Sequence, residues 1–316
     1  MGGESEGEIR RVLDLDSCAE CRCDLERDLE AERHSLCRTD SEGLLRGLSL
    51  MHSRTGFRRD SRADSQRQTR IPAGWLARGR FFDILPCMKR SPGFVLAIDG
   101  PAGSGKSTTA RLCAKRLGFR HLDTGAMYRA VTLKALRTRT DIRNSKALAR
   151  MLAATRVGVE WNRAGMRVKL DGEDVSEAIR EPEVSGYVSE VSAIPEVRRQ
   201  MVAEQRRVAA GQAVVCEGRD IGSVVFPKAD LKIYLECDAG ERARRRQLEL
   251  AGRGTRAGRR AVLANLVKRD RIDSGREASP LRRVPDAVLV DTSGLTIEEQ
   301  VAVVCDLVRR RVRREE

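Results

Sequence analysis

The run Gly100-Pro-Ala-Gly-Ser-Gly-Lys106-Ser107-Thr108 constrains this chain more than any other segment. It fits G-x-x-x-x-G-K-[ST], a pattern whose glycines let successive backbone N–H groups turn toward one anion at a helix N-terminus. In such a loop Lys106 reaches the β- and γ-phosphates of a nucleoside triphosphate, and the Ser107 hydroxyl sits on Mg²⁺. The pattern is short, so its flanks decide its meaning. Phe94-Val-Leu-Ala-Ile98 reads as an apolar strand and Thr108 to Leu117 as an amphipathic helix. That strand–loop–helix order separates a phosphate-binding loop from a Gly/Ser linker. Gly100, Pro101, Ala102, Gly103, Ser104, Gly105, Lys106, Ser107 and Thr108 are therefore the expected triphosphate cradle.

A length of 316 residues with 41% apolar content allows one large or two ordinary domains with a packed core. No apolar run reaches the roughly 18 to 20 residues of a membrane span. The acidic start, Met1-Gly-Gly-Glu-Ser-Glu-Gly-Glu, carries neither the apolar stretch of a secretory signal nor the acid-poor character of a transit peptide. A cytoplasmic protein is the expectation. The net charge of +14 raises the question of a polyanionic partner. With only nine lysines the basic residues are overwhelmingly Arg, as a GC-rich coding bias produces, and phosphate binding itself consumes arginines. Aromatic residues make up 3% of the chain, too few for base-stacking platforms, so a nucleic-acid partner is not expected. Of the nine cysteines, Cys113, Cys216, Cys237 and Cys305 fall in apolar helix or strand candidates and read as buried free thiols.

The text changes character near Met88. Downstream, short apolar runs at Phe94–Ile98, His121–Leu122, Ala213–Cys216, Leu231–Leu235 and Ala287–Val290 alternate with helical stretches, which predicts a parallel sheet covered on both faces. Two departures stand out. Arg156–Trp161 and Met166–Leu170 alternate with period two around Asn162-Arg-Ala-Gly165, predicting a hairpin, and an antiparallel insert in an α/β core usually carries substrate. Glu241 to Arg283 is dense in arginine, with two helices expected on either side of Gly252–Gly258. Part of that charge is solvated helix face, and the rest suits a lid that clamps transferring phosphates. The last helix is announced by the capping box Thr296-Ile-Glu-Glu299 before the apolar run Val301–Val304.

Three further segments carry a resemblance. Leu122-Asp-Thr-Gly-Ala-Met-Tyr-Arg129, Glu217-Gly-Arg-Asp220-Ile-Gly-Ser-Val-Val-Phe-Pro227 and Arg269-Asp-Arg-Ile-Asp273-Ser-Gly-Arg276 follow the phosphate loop in that order. Together they resemble the bacterial cytidylate kinases over residues 88–316. Two positions differ in detail: Glu217 stands where Asp is common, and Thr124 where some members have Ser. The resemblance implies the α/β fold of the P-loop nucleoside monophosphate kinases. That is a five-stranded parallel sheet flanked by helices, with a small antiparallel-β monophosphate-binding insert at about 125–212 and a short helical lid at about 241–283, all within 89–316. It implies ATP-dependent phosphorylation of CMP and dCMP, Mg²⁺ with ATP as donor, and a monomer.

It also implies roles. Thr124, Tyr128 and Arg129 lie along the monophosphate, Arg129 on its phosphate. Ser189, Arg198 and Asp220 read the cytosine edge, Arg219 touches the acceptor phosphate, Arg269 and Asp273 hold the ribose hydroxyls, and Arg276 the phosphate. Arg245 and Arg246 face the ATP phosphates, although only one side of their helix can do so. Plainer readings exist for several of these: Arg129 with Asp123 as a surface pair, Tyr128 as a core aromatic, Ser189 as an ordinary helix residue. The alternatives at the level of function are a P-loop kinase for UMP or AMP, and a P-loop RNA-binding regulator using the basic lid.

The expected chemistry does not depend on the name. A phosphate monoester has a second pKa of about 6 and is mostly dianionic at neutral pH, so the acceptor needs no strong general base. The obstacle is that two anions must meet, and positioned cations remove it. A guanidinium binds phosphate with two prongs, which favours Arg over Lys in a lid. Base choice needs matched donors and acceptors: Arg198 donates to the carbonyl edge and Asp220 accepts from the exocyclic amine, to which uracil would present a carbonyl instead.

Residues 1–88 read differently. Acids dominate up to about residue 42 and arginines thereafter, with one short helix expected around Asp24–His34. The expectation is a disordered extension, or sequence upstream of a working start at Met88. Cys18-Ala-Glu-Cys21 and His34-Ser-Leu-Cys37 also have the ligand types and spacing of a small zinc site.

Overall fold

The computed structural model describes residues 93–252 and 254–313. The expectations for residues 1–88, the short helix and the cysteine–histidine pattern included, lie outside the described residues. The described residues belong to two compact units. One holds Leu248–Thr255, where the N–H of Thr255 bonds the carbonyl of Leu250. The other holds the remaining described residues, and with them the sheets and every site residue considered below.

Strands β1 (Val95–Asp99), β2 (Arg120–Asp123), β6 (Val214–Gly218), β7 (Leu231–Glu236) and β8 (Val288–Asp291) form a five-stranded sheet in the order β2-β6-β1-β7-β8. Every pairing is parallel, with Ile98 opposite Glu217 and Asp99 opposite Gly218. Leu96, Ala97, Ile98, Val214, Val215 and Cys216 are fully buried, as a sheet covered on both faces requires. The five apolar runs in the sequence are these five strands. Because all run the same way, the segments after β1, β2 and β6 leave from one edge, which is where open parallel sheets hold ligands.

Helix α1 (Lys106–Leu117) starts directly from the glycine loop. Gly105 precedes it at φ 86°, and a Cβ there would lie 2.7 Å from Gln300 Oε1, so glycine is required on two counts. Gly118 ends the helix in the left-handed conformation. Helix α2 (Thr124–Arg137) follows β2 without a loop, because Asp123 caps it by accepting the N–H of Ala126 at 3.0 Å. After α3 (Ser145–Ala153), strands β3 (Val157–Asn162) and β4 (Gly165–Leu170) form the expected hairpin, with Asn162 opposite Gly165, and β5 (Glu173–Asp174) adds a third strand. The hairpin is tied to the end of β2: Trp161 Nε1–H bonds the carbonyl of His121 at 2.7 Å, and the N–H of Asp123 reaches Met166 Sδ.

Helices α4 (Pro182–Ala193) and α5 (Pro195–Ala209) lead back to β6. Each begins with proline at its first position, where a missing N–H costs nothing. Helices α6 (Ala239–Gly252) and α7 (Arg259–Gly275) flank the expected glycine segment. The chain closes with α8 (Ile297–Val312), whose capping box is formed as read: Thr296 and Glu299 satisfy each other's backbone N–H groups. Cys113, Cys216, Cys237 and Cys305 are buried and free. No helix among the described residues is long and apolar enough to cross a membrane.

Candidate active site

The glycine loop leaves β1 after Asp99 and delivers Lys106 to the first turn of α1. Lys106 is buried, and its Nζ donates to the carbonyl of Pro101 at 2.8 Å. Burial first, and Arg219 second, lower its pKa to about 7. Ser107 donates its hydroxyl to Glu217 Oε2 at 2.8 Å, and the other oxygen, Glu217 Oε1, lies 3.1 Å from His121 Nε2. Burial raises the Glu217 pKa, but the bond to His121, the charge of Lys106 and the Ser107 hydroxyl outweigh it, and the carboxyl is held below its ordinary range. Ser107 and Glu217 thus bring a hydroxyl and an ionised carboxylate to the mouth of the loop. Those are hard oxygen donors that fit Mg²⁺, a cation that binds through one or two such groups plus phosphate oxygens.

Strand β6 ends in Glu217-Gly218 and is followed at once by Arg219-Asp220. Gly218 has no room for a side chain: a Cβ would lie 2.6 Å from Thr124 Oγ1 and from Ile221 Cδ1. That contact is why the first and second motifs meet, and Thr124 Oγ1 donates to the carbonyl of Glu217 at 2.8 Å. Arg219 Nε donates to Asp273 Oδ2 at 2.9 Å, joining the second motif to the third. Asp220 is buried and pairs with Arg198 Nη2, while Arg198 Nη1 bonds the carbonyl of Ser192 at 3.1 Å. The Arg198 guanidinium lies over the Tyr128 ring, 5.3 Å from its centre. Burial pushes the Tyr128 hydroxyl up to about 12, so it stays protonated. Ser189 is buried on α4, one turn from Ser192. Arg276 Nη2 stands 3.7 Å from Asp220 Oδ1 without a hydrogen-bond partner, although it is buried. Burial and then Arg198 lower its pKa.

Arg269 Nε is likewise buried without a hydrogen bond. Its pKa is lowered to about 10, first by burial, then by Arg219 and Arg129, with Arg246 contributing as well. These residues come from α7, the segment after β6, α2 and α6, yet they share one field. Like charges gathered beside Lys106 with buried N–H groups unpaired describe a site shaped for several phosphate oxygens. Arg246 belongs to that field. Arg245, one position earlier, lies beside the glycine loop: its Nη1 stands 3.5 Å from where a Cβ on Gly105 would sit, while its Nη2 bonds the carbonyls of Thr292 at 2.6 Å and Leu295 at 3.2 Å, and its Nε bonds Glu241. The structure therefore brings together Lys106, Ser107, Thr124, Tyr128, Arg129, Arg198, Arg219, Asp220, Arg246, Arg269, Asp273 and Arg276, and places Arg245 between the glycine loop and the β8–α8 connection.

Sequence reasoning missed several participants. Asp99 accepts the N–H groups of Ile221 and Gly222, both at 2.8 Å. His121 orients Glu217. Arg242 pairs with Asp270 and bonds the carbonyl of Ala102 at 3.1 Å, while Asp270 accepts the N–H of Ala102 at 3.3 Å. An acid closing an apolar strand was the available signal for Asp99. Arg242 stood in the arginine-dense segment and Asp270 in the third motif, but neither their pairing nor the part played by His121 was signalled, because the partners lie far apart in sequence. No cluster of three or more His, Cys, Asp or Glu suited to a metal occurs among the described residues.

A family model described as cytidylate kinase matches residues 96–310. The cytidylate kinase of Carboxydothermus hydrogenoformans is 47% identical over 216 residues, spanning 68% of this chain and 97% of its own length. That of Pelotomaculum thermopropionicum is 50% identical over 210 residues, 66% of this chain and 93% of its own. That of Chlorobaculum tepidum is 49% identical over 222 residues, 68% of this chain and 93% of its own.

Proposed function

The chain belongs to the cytidylate kinase family, and from that premise we propose how its residues carry out the reaction. The enzyme transfers the γ-phosphoryl group of ATP to CMP or dCMP, giving ADP and CDP or dCDP. An oxygen of the acceptor phosphate forms a bond to the γ-phosphorus. The bond from that phosphorus to the β–γ bridging oxygen breaks, and its electron pair leaves with ADP. Neither step needs a strong base, because the acceptor is already mostly dianionic. What the protein supplies is position and positive charge.

Backbone N–H groups of Gly100–Thr108 and the Lys106 ammonium hold the triphosphate, and binding that anion favours the charged form of Lys106. Arg129, Arg219 and Arg276 hold the acceptor phosphate, Arg269 reaches a ribose hydroxyl, and Arg246 opposes charge that spreads over the transferring group. Arg245, beside Gly105 of the loop, faces the ATP phosphates and also fixes α6 against the β8–α8 connection. Arg198 and Asp220 read the cytosine edge, with Ser189 beside them and Tyr128 and Thr124 along the nucleotide. Asp273 takes a ribose hydroxyl. Ser107 and Glu217 would hold Mg²⁺, which when bound would neutralise charge on the donor phosphates. Residues 125–212 serve as the monophosphate-binding insert and 241–283 as the lid, in a monomer of the cytoplasm.

The observation that carries this reading is the buried Arg198–Asp220 pair standing beside the cationic field around Lys106. A donor and an acceptor held edge to edge suit a base with one carbonyl and one amine. The test is an ATP-to-ADP assay with CMP, dCMP, UMP and AMP at equal concentration, with and without a chelator. CMP and dCMP turn over fastest, and chelation stops turnover until Mg²⁺ is restored. Faster turnover of UMP overturns the base assignment. Tight RNA binding with little transfer to free nucleotides overturns the enzyme reading.

A further inference from the structure

Asp220 does not stand on a regular element. It precedes a single π-helical turn, Ile221–Val225, in which the N–H of Phe226 reaches back to the carbonyl of Ile221 at 2.7 Å and that of Val225 to Asp220 at 3.1 Å. Such wide turns are rarely stable by themselves and occur mostly at functional positions. This one is held at both ends by charge. At its amino end, Asp99 of β1 accepts two N–H groups, one on each carboxylate oxygen: Ile221 on Oδ1 and Gly222 on Oδ2, both at 2.8 Å. At its carboxyl end, Arg206 of α5 donates from Nε to the carbonyl of Val225 at 2.8 Å and from Nη2 to that of Val224 at 2.7 Å. An anion at the end with exposed N–H groups and a cation at the end with exposed carbonyls match the dipole of the turn. Gly222 keeps the approach open, since a Cβ there would lie 3.1 Å from Lys232 Cδ and 3.4 Å from Asp99 Oδ2.

The cost of this arrangement argues against mere convenience. Asp99 is 6% exposed, and burial raises its pKa to about 6 even against two backbone hydrogen bonds. A buried carboxylate is an expensive way to satisfy two N–H groups. What it provides is a rigid two-point fix on the residues immediately after Asp220. The strand that launches the phosphate loop thereby sets the place of the acid that faces the base.

We propose that Asp99 and Arg206 are positioning residues for substrate choice: by fixing the two ends of the Ile221–Val225 turn they hold Asp220 in register with Arg198, and so set the preference for a pyrimidine monophosphate with an exocyclic amine over one with a carbonyl. The proposal rests on the reading that Asp220 and Arg198 face the base. Asp99 and Arg206 themselves act through the backbone of the turn.

The experiment is steady-state kinetics of the full chain with CMP and with UMP for Asp99→Asn, Arg206→Met and Arg206→Lys, with Asp220→Asn as reference. Asp99→Asn places an amide N–H against a backbone N–H, and Arg206→Met frees both carbonyls. Each is expected to raise the CMP KM and to shrink the CMP-over-UMP ratio of kcat/KM by about tenfold, the scale of losing one charge-assisted hydrogen bond. Arg206→Lys, with one donor where two are needed, recovers part of the ratio. Because the ratio compares two substrates in one preparation, loss of folded protein does not move it. Should Asp99→Asn fail to fold, the Arg206 variants decide. An unchanged ratio in Arg206→Met, with the ratio lost in Asp220→Asn, overturns the positioning role. An unchanged ratio in Asp220→Asn overturns the underlying assignment of the base-reading pair, and this proposal with it.

Discussion

Lys106 shows how a single side chain can report ligand binding. Burial and Arg219 bring its pKa from the ordinary lysine range to about 7 in the free protein. The unfolded chain keeps the ordinary value, so between about pH 7 and the usual lysine pKa the unfolded state binds more protons. Stability from this group therefore rises with pH across that window, and its full cost is present below pH 7. A triphosphate beside the ammonium reverses the shift. ATP binding at pH 8 should then take up a proton, and binding at pH 6 should take up much less, because Lys106 is already charged. Calorimetric titration in two buffers of different ionisation enthalpy measures the number directly. Equal uptake at both pH values would mean that another group is responsible. The loop that holds Lys106 was legible because the motif specifies residue types one by one. Asp99 was not legible as a partner of Ile221, because an acid after five apolar residues looks the same whether it faces solvent or caps a turn 122 positions away. The sequence left Arg245 and Arg246 equivalent. Neighbours on a helix point about 100° apart, and the two reach different places: Arg246 contributes to the field of Arg269, and Arg245 Nη1 lies beside Gly105 of the loop.

At the scale of elements, local rules were sufficient wherever the stabilising groups lie a few residues apart. The capping box of α8 is such a case, with Thr296 Oγ1 accepting the N–H of Glu299 at 3.3 Å and Glu299 Oε2 accepting that of Thr296 at 2.8 Å. Thr296→Ala removes half of it and should cost about 1 kcal/mol, seen as a lower denaturant midpoint with unchanged slope. A silent substitution would mean that α8 is fixed by packing alone. The β3–β4 hairpin was equally readable from its period-two pattern. What fastens it was not. Trp161 reaches the carbonyl of His121 across 40 positions, and its ring also lies 5.5 Å from the Arg120 guanidinium. Trp161→Phe keeps the apolar area and deletes the donor, so it should cost about 1 kcal/mol and speed amide exchange in β3 and β4 more than in β6. The π-helical turn after Asp220 lay beyond pattern reading for the same reason: Asp99 and Arg206, which bond its two ends, stand outside it in sequence.

Over the whole molecule, parallel strand order explains why motifs far apart in sequence share one edge, and why alternation announced a parallel sheet while the insert and lid came from the resemblance. It also creates a conflict. Lys106, Arg129, Arg219, Arg246 and Arg269 arrive from separate segments and converge, and the depressed pKa values of Lys106 and Arg269 record their burial first and the repulsion among them second. Asp273 offsets part of it through its bond to Arg219. The free enzyme is thus stabilised less than its packing would allow, and bound phosphates should recover the difference. Two consequences separate this account from ordinary ligand stabilisation. ATP at a hundred times its Kd should add about 2.7 kcal/mol to the unfolding free energy by mass action alone. Arg269→Met, by contrast, removes a partly buried charge whose Nε has no hydrogen-bond partner. It should raise the Tm of the free enzyme by about 2–4 °C, the shift expected for roughly 1 kcal/mol in a protein of this size. The same variant should show a smaller increment with ATP and CMP and a slower turnover, a trade of activity for stability at a site strained for function. Thermal unfolding with and without both nucleotides tests the pair of effects together. If Arg269→Met lowers the Tm of the free enzyme, the arginine is held by favourable contacts, and the cationic field is not a source of strain.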